Sequence, residues 1–107
     1  MAEETCKLCG HVGQLWAIET HHIVPKELTS QAEIPDSASV PLCSSCHREV
    51  HTWYSKKVFD MTYDTMTKRF KPKSLAEVVK EYEAAYRLFA EYKKLQRKRD
   101  YEFQNNR

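Results

Sequence analysis

The most regular pattern of apolar and polar positions lies in the last third of the chain. After Pro72, apolar residues recur at the intervals of an amphipathic helix, at positions 75, 78, 79, 82, 85, 86, 89, 92 and 95. The segment Ser74-Leu75-Ala76-Glu77 has the form of a capping box. The pattern therefore predicts one helix from Leu75 to about Arg99, roughly 37 Å long at 1.5 Å per residue.

The first half of the chain predicts shorter elements. Leu15 to Thr20 is a run of strand-compatible residues that leads into two adjacent histidines. Ser39 to Leu42 is suited to a short return strand. A helix capped by Ser44 or Ser45 should follow and run to about Lys57.

Two segments carry weaker signals. The polar stretch from Lys26 to Ala38 follows Pro25 and contains Pro35, and we expect a loop of about a dozen residues there. The apolar residues between Asp60 and Phe70 suit a short helix without requiring one.

Length and composition indicate one compact domain. A chain of 107 residues with 41% apolar residues buries somewhat over ~60% of the surface that its unfolded form exposes. No apolar run approaches the roughly 20 residues of a membrane span, and the chain begins with acidic residues, so we expect a soluble cytoplasmic protein. Every cysteine and histidine lies in residues 1–57, which we expect to form the metal-binding core, with residues 58–107 as a helical extension.

The net charge of +2 hides an asymmetry between the two halves. Residues 1–51 carry three Lys/Arg against seven Asp/Glu, whereas residues 52–107 carry fourteen against eight. Attraction to a polyanion should therefore come from the second half, although a solvated helix face would have the same composition. Two basic clusters stand out there, and both are candidates for phosphate contacts: Lys68, Arg69, Lys71 and Lys73, and then Lys93, Lys94, Arg97, Lys98 and Arg99.

The four cysteines form two Cys-x-x-Cys pairs, Cys6/Cys9 and Cys43/Cys46. In a secreted chain they would suggest two disulfides, but in a reducing compartment thiolate ligands of one structural Zn²⁺ are the better interpretation. Closing such a site would hold the start of the helix after Cys43 against the strand that leads into the histidine pair.

The histidines suggest a second, more open site. His47 and His51 are separated by one helical turn, which suits chelation of one ion, although two surface histidines would share this spacing. Adjacent helical residues differ by about 100° in direction, so Cys46 can serve the structural zinc while His47 faces another metal. His21 and His22 should point to opposite faces of a strand, so that one binds metal while the other stays free as a general base.

Two further residues have roles that the same pattern indicates. Glu19 lies two residues before His21 on the same strand face, and we expect it to orient that histidine. His11 has no ligand partner at a useful spacing, and we expect it to face solvent.

Two stretches of the chain carry the motifs of a known family. The first is Thr20-His21-His22-Ile23-Val24-Pro25, and the second is Val40-Pro41-Leu42-Cys43-Ser44-Ser45-Cys46-His47, followed by His51. Over roughly Cys6 to Lys57 they resemble the HNH endonuclease family, and in particular its small stand-alone bacterial or phage members with a four-cysteine zinc site.

The resemblance implies an α+β fold. Its ββα-metal core would be held together by the four-cysteine zinc site. A helical C-terminal extension with one long helix would follow this core. It also implies that His22 is the general base and that His21 and His51 bind a catalytic divalent ion. His47 matches a further ligand that the colicin-like members use.

The chain departs from the family pattern at one position. The asparagine that gives the family its middle letter is replaced by Ala38, five residues before Cys43. In the family this asparagine supports the loop that carries the base, and Ser37 or Ser39 is a candidate for the same task here.

The function that the resemblance implies is metal-dependent hydrolysis of DNA phosphodiester bonds, by nicking or double-strand cleavage. Its cofactors would be the structural Zn²⁺ and one catalytic ion, namely Mg²⁺, Mn²⁺, Ni²⁺ or Zn²⁺. The partner would be DNA, and the long helix would either pack on the core or form a homodimer. Two alternatives from other classes remain: a zinc-stabilised nucleic-acid-binding module without catalysis, and a phage assembly or packaging protein that docks through the long helix.

Overall fold

The structure is a computed structural model that describes residues 3–14 and 17–105. Within those residues the chain has an α+β fold with small antiparallel sheets and a long C-terminal helix. In chain order, the elements are β1 Glu3–Thr5, β2 Val12–Gln14, β3 Ile18–His22, α1 Lys26–Gln31, β4 Ser39–Cys43, α2 Ser44–Lys57, β5 Met61–Asp64, β6 Arg69–Pro72 and α3 Leu75–Asn105.

The first sheet is a tight hairpin that contains the first cysteine pair. Strands β1 and β2 are antiparallel, with Thr5 opposite Val12. In the turn the Cys6 N–H donates to the His11 carbonyl, and the Gly10 N–H donates to the Cys6 carbonyl. Gly10 has a φ of +77°, a left-handed conformation that glycine adopts without steric cost. The turn therefore folds the chain back directly after Cys9.

Strands β3 and β4 and helix α2 form the centre of the molecule. The two strands are antiparallel from the pair Ile18/Cys43 to the pair His22/Ser39. Strand β3 lies later in the chain than the predicted strand at Leu15 to Thr20, of which residues 15 and 16 lie outside the described residues. β4 passes without a loop into α2. The N-cap of α2 is Cys43, whose Sγ accepts from the Cys46 N–H, and not the predicted Ser44 or Ser45.

One sequence-based expectation about secondary structure was wrong, and one ambiguous segment forms a hairpin. The predicted loop at 26–38 begins with the six-residue helix α1, where the N–H groups of Leu28 and Thr29 donate to the Pro25 carbonyl. A helix of this length is too short to show a periodic pattern. The segment near 60–70, which suited a short helix without requiring one, is the β5–β6 hairpin, whose turn is closed by a Met66 N–H bond to Asp64 Oδ1. Its Thr, Tyr and Phe residues favour strands.

Helix α3 has 31 residues, extends beyond the predicted end and packs along α2. The core combines both halves of the chain, with Leu42 and Val50 fully buried and Phe89 only 2% exposed. Trp53 Nε1 donates to the Ala85 carbonyl at 3.0 Å and ties the helices together. The middle of the apolar face of α3, including Ala85 and Phe89, is buried, whereas Leu75, Tyr92 and Leu95 at its two ends are exposed. Homodimerisation through this helix remains a prediction. Among the described residues no helix is long and apolar enough to span a membrane.

Candidate metal centres

The first centre is a cluster of four cysteines. Cys6 and Cys9 come from the β1–β2 turn, and Cys43 and Cys46 come from the junction of β4 and α2. All four are free, and their Sγ atoms lie within 4.8 Å of one another. The Sγ atoms of Cys9 and Cys43 are 3.7 Å apart. A tetrahedral site with Zn–S bonds of about 2.3 Å has edges of roughly 3.8 Å, so the cysteines are positioned to bind a zinc-like ion.

The pKa values of the cysteine thiols favour the binding of a cation by this cluster. Burial alone would raise the pKa of Cys6, but hydrogen bonds from the backbone of Cys9, Cys43 and Leu8 outweigh it and lower that pKa to about 7. Burial and the neighbouring sulfurs raise the pKa of Cys46. Four adjacent thiolates therefore do not form easily without a positive charge among them. A bound cation would supply that charge and displace the remaining protons.

Helix α3 covers the cysteine cluster with two basic residues. Lys93 is 8% exposed, and its Nζ donates to Glu49 Oε2 at 3.2 Å. Burial lowers the pKa of Lys93, but Glu49 and the nearby sulfurs of Cys46 and Cys9 outweigh it, so the net change is upward. These contacts keep the Lys93 ammonium charged beside the thiolates.

Arg97 connects α3 to the cysteine turn. Its Nη1 donates to the Leu8 carbonyl at 3.3 Å. A Cβ added at Gly10 would lie 2.9 Å from Nη2 of Arg97, so the glycine also leaves room for this side chain. Of the second predicted basic cluster, Lys93 and Arg97 thus make contacts within the fold. The others, Lys94, Lys98 and Arg99, are exposed.

The second centre is a cluster of three histidines. His21 comes from β3, and His47 and His51 come from successive turns of α2, which lies across that strand. One ring nitrogen of each lies within 4.8 Å of the others. Nε2 of His47 is 3.1 Å from Nε2 of His51. His21 is buried, His47 is half-buried and His51 is exposed, so the cluster opens to solvent on one side.

The histidine cluster favours neutral rings. Burial, and then the proximity of His47, His51 and His22, lowers the pKa of His21 from its ordinary 6.5 to about 4. Burial and the neighbouring His47 also lower the pKa of His51. At neutral pH both rings therefore retain lone pairs, which a cation requires.

Glu19 orients His47, and not His21 as its sequence position suggested. Its Oε1 accepts from Nδ1 of His47 at 3.2 Å. His21, which we expected to be its partner, points into the core, while α2 brings His47 over the exposed edge of β3. With Nδ1 of His47 bound to the carboxylate, Nε2 is left free to face the cluster.

His22 lies beside the three clustered histidines. A cleft of about 370 Å³ is bounded by residues from β3, α1 and α2, namely Thr20, His21, His22, Pro25, Lys26, Glu27, His47 and His51. The cleft lies at the end of β3, so it is lined by both members of the histidine pair. Lys26 and Glu27 were not assigned from the sequence, because the helix that carries them was expected to be a loop. His11 is exposed, as expected, and lies in the cysteine turn.

The chain after the histidine pair is held by Ser37. The Val24 N–H donates to Ser37 Oγ at 3.0 Å, and the Ser37 hydroxyl lies 3.3 Å from the Val24 carbonyl. The Ile23 N–H donates to the carbonyl of Ala38, the residue that the HNH resemblance would align with an asparagine. Ser39, the other candidate, pairs with His22 in the β-ladder. Ser37 is therefore the residue whose side chain supports this loop.

The first predicted basic cluster lies on the β5–β6 hairpin. Lys68, Arg69 and Lys71 are exposed there, with Lys71 3.9 Å from Asp64. Lys73 is less accessible because it forms an ion pair with Glu81 of α3. The hairpin therefore presents three of the four basic residues to solvent.

Tyr54 is a part of the histidine site that the sequence-based assignment missed. Its hydroxyl lies 3.1 Å from Nε2 of His21. A signal was available, since Tyr54 lies one turn after His51 and two turns after His47 on the same face of α2. The tyrosine was overlooked because an aromatic residue at helical spacing is usually part of a core, and Tyr54 belongs to the core as well.

Comparison of the chain with protein-family models, curated proteins and solved structures found no match. The HNH resemblance therefore stays a prediction from the motifs at His21–Pro25 and Val40–His51. The chemistry of the two side-chain clusters carries the functional inference.

Proposed function

We propose that this protein is a metal-dependent endonuclease of the HNH type that hydrolyses DNA phosphodiester bonds. The observation that carries the proposal is the group of three imidazoles, His21, His47 and His51, with donor nitrogens within 4.8 Å of one another in an open cleft. A fourth histidine, His22, lines the same cleft. Three protein ligands leave coordination positions for substrate and water, as in catalytic rather than structural sites.

The surrounding elements fit a ββα-metal core. The antiparallel pair β3–β4 supplies His21 and His22, and α2 supplies His47 and His51. The donor set favours one of the imidazole-binding ions Ni²⁺ or Zn²⁺ over Mg²⁺ and Mn²⁺, which prefer oxygen ligands. The bound ion would stabilise negative charge on the phosphate and on the leaving oxygen.

The proposed reaction divides two tasks among the four histidines. His22 would accept a proton from the water that attacks phosphorus. His21, His47 and His51 would hold the ion, which would supply positive charge beside the phosphate, while Glu19 fixes the ring of His47. Ser37 holds the backbone of Val24, two residues after the base, and thereby limits the movement of the loop that follows His22.

The DNA backbone would be held by exposed basic residues outside the cleft. Lys68, Arg69 and Lys71 on the β5–β6 hairpin supply one group, and Lys94, Lys98 and Arg99 supply the other. Contacts of this kind act on phosphates and give affinity that depends on salt and not on base sequence.

Plasmid cleavage tests the proposal. Supercoiled DNA is incubated with wild type, His22→Ala and the control His11→Ala, each carrying zinc in the cysteine cluster and given Mg²⁺, Mn²⁺, Ni²⁺ or additional Zn²⁺. We expect nicked or linear product with wild type and His11→Ala only when the second ion is present. We expect His22→Ala to lose at least about 100-fold in rate, as removal of a general base typically does.

Two results would count against parts of this proposal. Equal rates for wild type and His22→Ala would remove the base assignment. Absence of cleavage with every ion, by protein that retains its zinc and binds DNA, would favour the non-catalytic nucleic-acid-binding module. That alternative draws support from the exposed basic hairpin, which lies outside the histidine cleft.

A further inference from the structure

A buried hydroxyl connects the histidine cluster to the backbone of the adjoining loop. Tyr54 is only 4% exposed and lies on the face of α2 that carries His47 and His51. Its hydroxyl makes two hydrogen bonds. One reaches the Ile23 carbonyl at 2.8 Å, and the other joins it to Nε2 of His21 at 3.1 Å.

The direction of both bonds follows from counting protons. A phenol has one proton to donate, and a backbone carbonyl can only accept. The Tyr54 proton is therefore given to the Ile23 carbonyl, so the bond to His21 must be donated by an Nε2–H group. A tyrosine phenol ordinarily keeps its proton up to about pH 10, so the hydroxyl is protonated at neutral pH.

A neutral imidazole carries one N–H group, and its other nitrogen has the free lone pair. If Nε2 of His21 carries the proton, Nδ1 is the atom that can bind a cation. His47 has the opposite arrangement, because its Nδ1 faces Glu19 and its Nε2 lies 3.1 Å from Nε2 of His51. Strand β3 would thus present Nδ1 of His21 to the centre, whereas helix α2 presents Nε2 of His47.

We propose that Tyr54 is a positioning residue that holds His21 in its Nε2–H tautomer and so presents Nδ1 as the metal donor. This inference rests on the proposed metal centre, but its first half concerns the metal-free cluster. Tyr54 does more than fill the core, because its hydroxyl links the ligand histidine to the loop that follows the base. Loss of the hydroxyl leaves the buried Nε2–H without an acceptor and lets the ring adopt either tautomer.

The tautomer of His21 can be measured directly in protein with zinc in the cysteine cluster and no second ion. Imidazole ¹⁵N NMR at pH 7 is recorded for wild type, Tyr54→Phe and the control Tyr82→Phe. Tyr82 packs edge-to-face on Tyr54, with ring centroids 4.9 Å apart, so its variant matches the loss of a nearby hydroxyl. We expect the Nε2–H form in wild type and Tyr82→Phe, and a mixture in Tyr54→Phe. An Nδ1–H form in wild type would overturn the proposal without any variant.

Calorimetric titration with Ni²⁺ tests the consequence for binding. His51→Ala, titrated in parallel, identifies the heat that belongs to the histidine cluster. We expect Tyr54→Phe to bind Ni²⁺ about 10- to 100-fold more weakly, as losses of residues that orient metal ligands typically do, while Tyr82→Phe stays within about twofold of wild type. Wild-type affinity in Tyr54→Phe would overturn the proposal.

The two readouts separate this inference from the proposed endonuclease activity. If the tautomer and Ni²⁺ affinity change as expected but wild type cleaves no DNA, the role of Tyr54 stands and the proposed function fails. If wild type cleaves DNA but Tyr54→Phe keeps the wild-type tautomer, the role of Tyr54 fails and the function stands.

Discussion

At the residue scale, His21 is both buried and a member of the histidine cluster. Its side chain is 2% exposed, yet it is surrounded by three other histidines and two tyrosines, Tyr54 and Tyr86. A protonated ring would be both desolvated and close to other basic groups. The folded state therefore selects the neutral ring, which is also the form that can bind a cation.

Because the folded state favours the neutral ring of His21, the free energy of unfolding depends on pH. The pKa of His21 is about 4 in the folded protein and about 6.5 in the unfolded chain, so below pH 6.5 the unfolded chain binds the proton first. Stability attributable to His21 is thus fully present above pH 6.5 and is lost as pH falls towards 4. We therefore expect the free energy of unfolding of wild type, relative to that of His21→Gln, to fall by up to about 3 kcal/mol between about pH 6.5 and about pH 4.

Urea unfolding at several pH values measures this difference. Comparing the two proteins at each pH cancels the contribution of the cysteine cluster, which is present in both. The exposed His11 provides the control, because His11→Gln should track wild type throughout. If the difference in free energy of unfolding between wild type and His21→Gln does not change with pH, then the pKa of His21 is the same in the folded and the unfolded protein.

At the scale of elements, helix α3 contacts the cysteine turn as well as the hydrophobic core. Lys93 and Arg97 reach Glu49 and the Leu8 carbonyl and thereby fasten the helix over the cysteine cluster. These two residues look like part of a basic surface in the sequence. Of the two predicted basic clusters, the exposed residues that make no such contact within the described part of the chain are Lys94, Lys98 and Arg99 on α3 and Lys68 and Arg69 on the β5–β6 hairpin, so tests of nucleic-acid binding belong at those places.

The β5–β6 hairpin gives the sharper test of phosphate binding. Lys68→Gln/Arg69→Gln removes two exposed charges, and we expect the slope of log affinity for duplex DNA against log salt to flatten by about 0.9 for each phosphate that the variant no longer neutralises. The matched control is Lys80→Gln/Arg87→Gln, which removes two exposed charges from α3 away from both clusters. Fluorescence anisotropy at several salt concentrations measures the slopes. Equal slopes for the two variants would place the DNA elsewhere.

At the scale of the whole molecule, the two clusters are joined by one junction. Cys43 ends β4, Cys46 lies in the first turn of α2, and His47 follows immediately. An ion in the cysteine cluster would hold the start of α2 against the β1–β2 turn, and the direction of α2 decides where His47 and His51 point. The cysteine cluster therefore supports the histidine cluster through the rigid helix.

Removing one ligand from each cluster should have different consequences. Structural zinc sites contribute on the order of 10–16 kcal/mol to folding, so Cys43→Ser should lose zinc and unfold. His51→Ala lies at an exposed position and should keep its zinc and its fold while losing the second ion. Circular dichroism together with metal analysis after gel filtration measures both properties. A folded, zinc-free Cys43→Ser protein would show that the cysteine cluster is not required for folding.

The accuracy of sequence-based prediction varied with the length of the element. The start of helix α3 was located well because its capping box and long amphipathic pattern specify it locally. The bounds of α2 were also located well, although its N-cap is Cys43 and not Ser44 or Ser45. Helix α1 and the β5–β6 hairpin were missed because a few residues do not show a period. Among side chains, Ser37 was one of two candidates for loop support, and the structure distinguishes it from Ser39.

The sequence by itself determined which donors are available: four cysteines in two pairs, two histidines one helical turn apart, and two more at a strand end. These are local facts, because ligand spacing follows from the repeat of the helix and the strand. Only the tertiary structure decided that His21 joins His47 and His51, that Glu19 contacts His47, and that Tyr54 contacts His21. Such pairings depend on how α2 crosses β3, and that crossing is set by packing between residues far apart in the chain.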